Sequence, residues 1–184
     1  MGGLRALIGF AAILFSGLYV VPDLMELAAG RVYTGRLIVT YLAEASIPFF
    51  VLGLHSLQQQ RGGWLSLVGA LMYGVAFVGF SAIVLDPLVT GTRDADAVVD
   101  AFGAIYDVNA ALVFAGGLLF AASVLRARVF PRWPALALTA GLLITALLAG
   151  LGLREEVQTV GTAVRSLAFA GMGAACLSPG FDRG

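Results

Sequence analysis

Leu37-Ile38-Val39-Thr40-Tyr41-Leu42-Ala43-Glu44-Ala45-Ser46-Ile47-Pro48-Phe49-Phe50-Val51-Leu52-Gly53-Leu54-His55-Ser56-Leu57 holds a single charged side chain, Glu44, well inside an apolar run. A helix needs about 20 apolar residues to cross a hydrocarbon core of about 30 Å. The run is long enough to do so, with a carboxylate in its interior. Two later runs repeat the oddity. Asp107 and Asn109 lie within Val98–Leu125, and Arg165 lies within Val157–Leu177.

Five further runs have similar length. They are Leu4 to about Val21, extending toward Ala29, then Trp64 to about Leu85, Val98–Leu125, Trp133–Leu153 and Val157–Leu177. Backbone polar groups in lipid must be satisfied within the segment, so each run is expected to be helical. The first run is read as a retained anchor, not a signal peptide, because no small-x-small cleavage site follows it. Short connections rich in Gly, Pro, Thr and Arg separate the runs. They leave no room for an extramembrane domain. The expected fold is all-α: a six-transmembrane-helix bundle formed by residues 1–184 as one polytopic domain.

Composition agrees. The chain is 60% hydrophobic and 12% charged, with a mean hydropathy of +0.95. Soluble domains carry about twice that charged fraction. The formal net charge of +0 offers nucleic acid no electrostatic footprint. One cysteine, Cys176, excludes an internal disulfide and a thiolate metal cluster. It reads as a packed thiol, with acylation near the inner interface as the other reading. One histidine, His55, excludes a bis-His haem and an all-histidine metal site. It reads as a satisfied interfacial side chain. Walker, HExxH, nucleophile-elbow and DDxxD patterns are all missing. No cofactor or metal is expected.

All eleven basic residues are arginine. One side of the expected bundle holds Arg5, Arg61, Arg126, Arg128, Arg132 and Arg183. The other holds Arg31, Arg36, Arg93 and Arg154, with Asp94, Asp96, Asp100, Glu155 and Glu156. The positive-inside rule makes the first side cytoplasmic, with both termini there. Trp64 and Trp133 then open the third and fifth helices at the inner interface, where amphipathic rings anchor.

In that topology the second, fourth and sixth helices run inward from the outer side. Glu44, Asp107 and Arg165 each fall about 10–14 Å below the outer boundary, at 1.5 Å per residue. Polar side chains in a membrane helix turn toward the bundle interior or a wet cavity. The expected site is therefore an outward-opening pocket lined by Glu44, Asp107, Asn109 and Arg165. Tyr19, Tyr41, Tyr106 and Gln158 are its neighbours, and Asp23, Glu26 and Asp86 lie nearer its mouth. Glu44 and Asp107 are the candidate proton sites, and Arg165 is the counter-charge or anion anchor. Two acids face one arginine, so one acid is left partly unpaired, which suits proton coupling or general acid chemistry. The bland reading is a salt bridge that joins helices. For Asp23, Glu26 and Asp86 it is simple solvation at the interface.

The pair Pro22-Asp23 recurs inverted as Asp86-Pro87. The separations Asp23–Glu44 and Asp86–Asp107 are equal. This spacing suggests three helical hairpins, the first two related by duplication. The competing reading is that Pro and Asp are common wherever helices end. Ala70 and Gly74, four apart, read as an internal packing pair.

The Arg126–Pro134 connection with Pro131-Arg132-Trp133, the apolar fifth helix and the glycine-rich stretch Gly161–Leu177 resemble bacterial multi-helix membrane proteins of the domain-of-unknown-function type. The resemblance covers about the last third of the chain. It implies a bacterial plasma (inner) membrane location and carries no catalytic residues across. A looser similarity, in residue types only, is to small integral-membrane terpene cyclases. These use intramembrane acids and generally have seven helices.

Three functions fit these residues. The first is a pocket that binds or translocates a small amphipathic or lipid-like ligand, with proton coupling. The second is a membrane-embedded acid–base isomerase or cyclase that uses the same acids. The third is a structural or accessory subunit whose polar layer only locks helices together. Membrane lipid is the expected partner, and the oligomeric state is left open.

Overall fold

A computed structural model describes the backbone of residues 2–29, 34–92, 95–151 and 154–179 and the side chains of 3–25, 34–92, 98, 100–151 and 159–179. All regular structure among the described residues is helical. The elements are α1 (Gly2–Ala29), α2 (Thr34–Thr90), α3 (Ala95–Ala127), α4 (Arg132–Gly150) and α5 (Arg154–Leu177). All five are long and apolar enough to cross a membrane. Exposed Leu, Val and Phe stud every helix, among them Phe10, Phe49, Val75, Val108, Leu147 and Leu167. A surface so covered in large apolar side chains suits contact with lipid.

The second and third apolar runs fall in one continuous element of 57 residues, α2, which contains a kink between two helical halves. Straight, it would be about 86 Å long, nearly three hydrocarbon thicknesses. It is not straight. Gly63 has φ 56 and ψ −150, outside the helical region. Beyond it Gly74 lies against Pro48, whose Cβ is 3.3 Å from where a Gly74 side chain would begin. The two halves, 34–62 and 64–90, therefore fold back on each other. Between the runs ending at Leu57 and opening at Trp64, the sequence reading places one of the short connections, Gln58–Gly63. Instead it is helical up to a single glycine hinge, because one residue with positive φ suffices to reverse the chain. Pro22 and Pro87 also lie inside helices, where an end was one of the two readings.

The other connections follow the turn chemistry. Gly91 at φ 79 closes α2 by donating its N–H to the Pro87 carbonyl. Arg128 at φ 55 ends α3, and Pro131 precedes α4.

Each helix packs on its neighbours in the chain, and α5 returns onto α1, so the contacts form a closed ring. Three of these contacts cross at paired glycines. A side chain on Gly9 of α1 would meet the Gly173 carbonyl of α5 at 2.7 Å, and one on Gly173 would meet the Gly9 carbonyl at 2.6 Å. Gly69 of α2 and Gly116 of α3 face each other in the same way, as do Gly141 of α4 and Gly161 of α5. Small residues let helix backbones touch, which is how packing holds helices together where lipid supplies no hydrophobic drive. Ala70 and Gly74 are both buried, so their spacing serves internal packing. Cys176 is fully buried beside Gly9.

The interior is aromatic. Phe169 of α5 meets Phe50 and Tyr73 from the two halves of α2, with ring centroids 5.4 and 5.5 Å apart. Phe77 joins Tyr73 to Tyr19 of α1.

Gly63 and Gly3 both have open space where a side chain would begin, but only Gly63 has positive φ. Gly63→Ala should therefore destabilise the protein by about 1–3 kcal/mol through backbone strain alone, while Gly3→Ala should be near neutral. Thermal unfolding in detergent, followed by circular dichroism, compares the two.

Candidate functional site

Polar side chains from four helical segments meet inside the bundle. From α1, Ser16, Tyr19 and Asp23 share a face at helical spacing. The first half of α2 brings Glu44, and the second half brings Tyr73. From α5 come Thr162, Arg165 and Ser166.

Arg165 is 8% exposed. Its Nε donates to the Gly161 carbonyl at 3.3 Å, and one terminal nitrogen donates to Thr162 Oγ1 at 3.3 Å. Both acceptors lie one turn back on the same helix, and they pin the guanidinium to α5. The guanidinium also reaches the Tyr73 hydroxyl. In front of it lies a cavity of ≈ 10 Å³, lined on its polar side by Ser16, Tyr19, Tyr73, Arg165 and Ser166 and closed by Ile47, Phe50 and Phe169. That is room for about one water molecule. Ser16 donates its hydroxyl hydrogen back to the Ala12 carbonyl. Ser166 Oγ is buried with no hydrogen-bond partner.

Glu44 is 7% exposed, and its Oε2 is buried without a partner. The positive charge acting on it is that of Arg36, two turns earlier in the same helix. The charges of Glu44, Arg165 and Asp23 all act on Tyr19. Among the described residues Glu44 and Arg165 form no ion pair with each other. The helix-joining salt bridge of the bland reading is therefore not made by these two side chains.

Asp107 does not join this cluster. It is exposed, whereas Asn109 is 7% exposed. Two residues on a helix are about 200° apart, so these two side chains cannot line one pocket. Asn109 shares its inward face with Tyr106, three residues earlier. The Asn109 amide packs where Gly79 of α2 has no side chain, and its Nδ2 is buried without a partner. The Tyr106 ring meets Phe80 at 5.2 Å. Tyr41, Asp23 and Asp86 are half-buried. The side chains of Gln158 and Glu26 lie outside the described residues.

The sequence reading missed a second polar group, toward the Gly63 hinge. Gln58 is 1% exposed, and Ser66 and Ser123 are fully buried. Gln58 Nε2 donates to Ser66 Oγ at 2.8 Å and to Ser123 Oγ at 3.2 Å. Ser123 passes its hydrogen to the Phe120 carbonyl. Ser66 Oγ lies 2.9 Å from His55 Nδ1. Ser66 Oγ keeps its hydrogen and a second lone pair, so it can serve His55 Nδ1 as donor or as acceptor. His55 is thus a satisfied side chain, as expected. The clue was present: Val51, Leu54 and Gln58 continue the buried stripe at helical spacing. Assigning Gln58 to a connection hid it.

Compared with known proteins, the chain matches no family model, no curated protein and no solved structure.

Ser66→Ala removes the acceptor of Gln58 and the partner of His55 at a fully buried point. It should cost about 1–3 kcal/mol. Ser56→Ala, at an exposed position where the hydroxyl only bonds its own helix, should leave stability unchanged. Denaturant titration of both variants measures the difference.

Proposed function

We propose that the chain is a multi-pass protein of a bacterial plasma membrane. Its polar cluster between α1, α2 and α5 binds or moves a small amphipathic or lipid-like ligand from the outer side, with Glu44 as the proton site. The two halves of α2 cross the membrane separately. With the other four helices they make six passes and leave both termini in the cytoplasm. Asp107 has no part in the proton step, because it is exposed on the opposite side of α3 from Asn109.

One observation carries the reading. Glu44 and Arg165 are both buried around Tyr19 yet form no ion pair with each other, and Glu44 Oε2 has no hydrogen-bond partner. Burying a charge is costly, and pairing normally offsets much of that cost. An acid and a base kept apart in one cluster are poorly arranged to stabilise a fold. They are well arranged to meet a ligand or exchange a proton. The cavity beside Arg165 holds about one water. A larger ligand therefore enters only when the surrounding helices part, which an alternating or gated site requires.

Native mass spectrometry of protein purified in mild detergent tests this. The wild type should carry an amphipathic adduct. Arg165→Leu should reduce its occupancy at least about tenfold, a difference of about 1.4 kcal/mol, and should remain helical. In liposomes Glu44→Gln should abolish ligand-dependent proton flux. If neither variant folds, the cluster is structural and the proposal fails.

Topology is tested separately. Single cysteines placed in a Cys176→Ser background at Gly3, Arg61 and Ser178 should all be labelled from the cytoplasmic side by a membrane-impermeant reagent. One at Thr92 should be labelled from the outside. Labelling of Arg61 and Thr92 from the same side would rule out separate crossings by the two halves of α2.

A further inference from the structure

Arg165 carries its charge into the bundle with no carboxylate in ion-pair contact among the described residues. Its two hydrogen bonds go to neutral oxygens of its own helix. Glu44 has Arg36 as its own positive neighbour. The space beside the guanidinium is mostly apolar, with Ser16, Tyr19, Tyr73 and Ser166 among its lining residues. The geometry points to a binding site for one halide-sized monovalent anion, chloride in ordinary media, held between α1, α2 and α5 by Arg165, Ser166, Tyr73 and Tyr19.

The donor inventory favours an anion. A guanidinium has five N–H donors. One goes to Gly161 and one to Thr162. Tyr73 lines the same cavity and feels the Arg165 charge. Ser166 is 6% exposed, lines the cavity, and its Oγ has no partner. A buried serine hydroxyl without an acceptor is a donor waiting for one. Ser16 competes little, since its hydrogen returns to Ala12. The wall thus combines a buried cation with unspent donors.

Size sets the class of anion. The cavity of ≈ 10 Å³ admits one atom-sized guest. Phosphate, sulfate and a lipid headgroup are all too large for it as it stands. A water would satisfy Ser166 alone, whereas a halide would also give the guanidinium a directly bound negative charge. The inference rests on Arg165 and the hydroxyls alone. It stands whether or not the protein carries an amphipathic ligand.

The test is thermal unfolding of the full-length protein in mild detergent. Sodium chloride is titrated against sodium gluconate at constant ionic strength, so that screening is unchanged. Chloride should raise the melting temperature along a saturating curve, as a ligand of the folded state does. Bromide should replace it and give an anomalous-diffraction peak beside Arg165. Arg165→Leu should abolish the dependence. Ser166→Ala should weaken half-saturation about tenfold, as expected for one hydrogen bond to a charge. Ser166→Ala decides the matter if Arg165→Leu does not fold. Ser56→Ala should behave as wild type. Equal melting in chloride and gluconate overturns the inference. So does a chloride effect that survives in Ser166→Ala unchanged. So does saturable stabilisation by laurate without any by halide, since the anion would then belong to a lipid. Loss of a lipid adduct in native mass spectrometry bears on the amphipathic ligand and leaves this result untouched.

Discussion

The backbone contact between paired glycines is the constraint on which the rest of the structure depends. In lipid the apolar surfaces of two helices gain little by leaving the solvent, so close packing must hold them together. Gly9 with Gly173, Gly69 with Gly116, and Gly141 with Gly161 bring three helix pairs to the distance at which a single added carbon would collide with a carbonyl. The ring of helices closes through two of these contacts, where α5 meets α1 and α4. The third contact holds α3 on the second half of α2. The same contacts set the polar site. A side chain on Gly141 would strike Arg165 Cγ at 2.8 Å, so the close crossing of α4 on α5 also positions the guanidinium.

Within this scaffold the polar groups are separated into two systems. Toward the Gly63 hinge, Gln58, Ser66, Ser123 and His55 form a hydrogen-bonded chain, with Gln58 Oε1 buried and left without a partner. Such a chain stiffens the junction of the two halves of α2 with α3. In the second system Glu44 and Arg165 both act on Tyr19 and form no ion pair with each other. It has two buried ionisable groups and a cavity beside Arg165, and these make it the functional candidate.

The sequence argument for a common layer counted residues inward from the outer boundary of each run. That count carries an error of a turn or more at every loosely placed helix end. The contacts measure depth directly. Gly74 lies beside Pro48 and Phe50 beside Phe169, which levels the two halves of α2 with α5. Glu44 precedes Phe50 by six residues and Arg165 precedes Phe169 by four, so from that contact the two stand within about 3 Å of each other in depth. Asp107 and Asn109 failed as a pair for an angular reason already present in the sequence: neighbours two apart on a helix face opposite ways.

Hydropathy and length determined the all-helical character of the chain, because a segment that cannot hydrogen-bond to its surroundings must bond to itself. Glycine and proline punctuation marked the ends of α3 and α4. The lone carboxylate in the run from 37 to 57 and the lone arginine in the last run were correctly singled out as buried, since rarity in an apolar stretch is itself a signal. Tertiary structure alone decided that the second and third runs are separated by a single residue, Gly63, for its φ is a property of the packed chain. It alone decided which acid turns inward, that Gln58 is buried, and that Arg165 faces hydroxyls and a one-water cavity while Glu44 answers to Arg36. These outcomes depend on which helix faces meet. Composition and spacing along one chain carry no record of distances across a bundle.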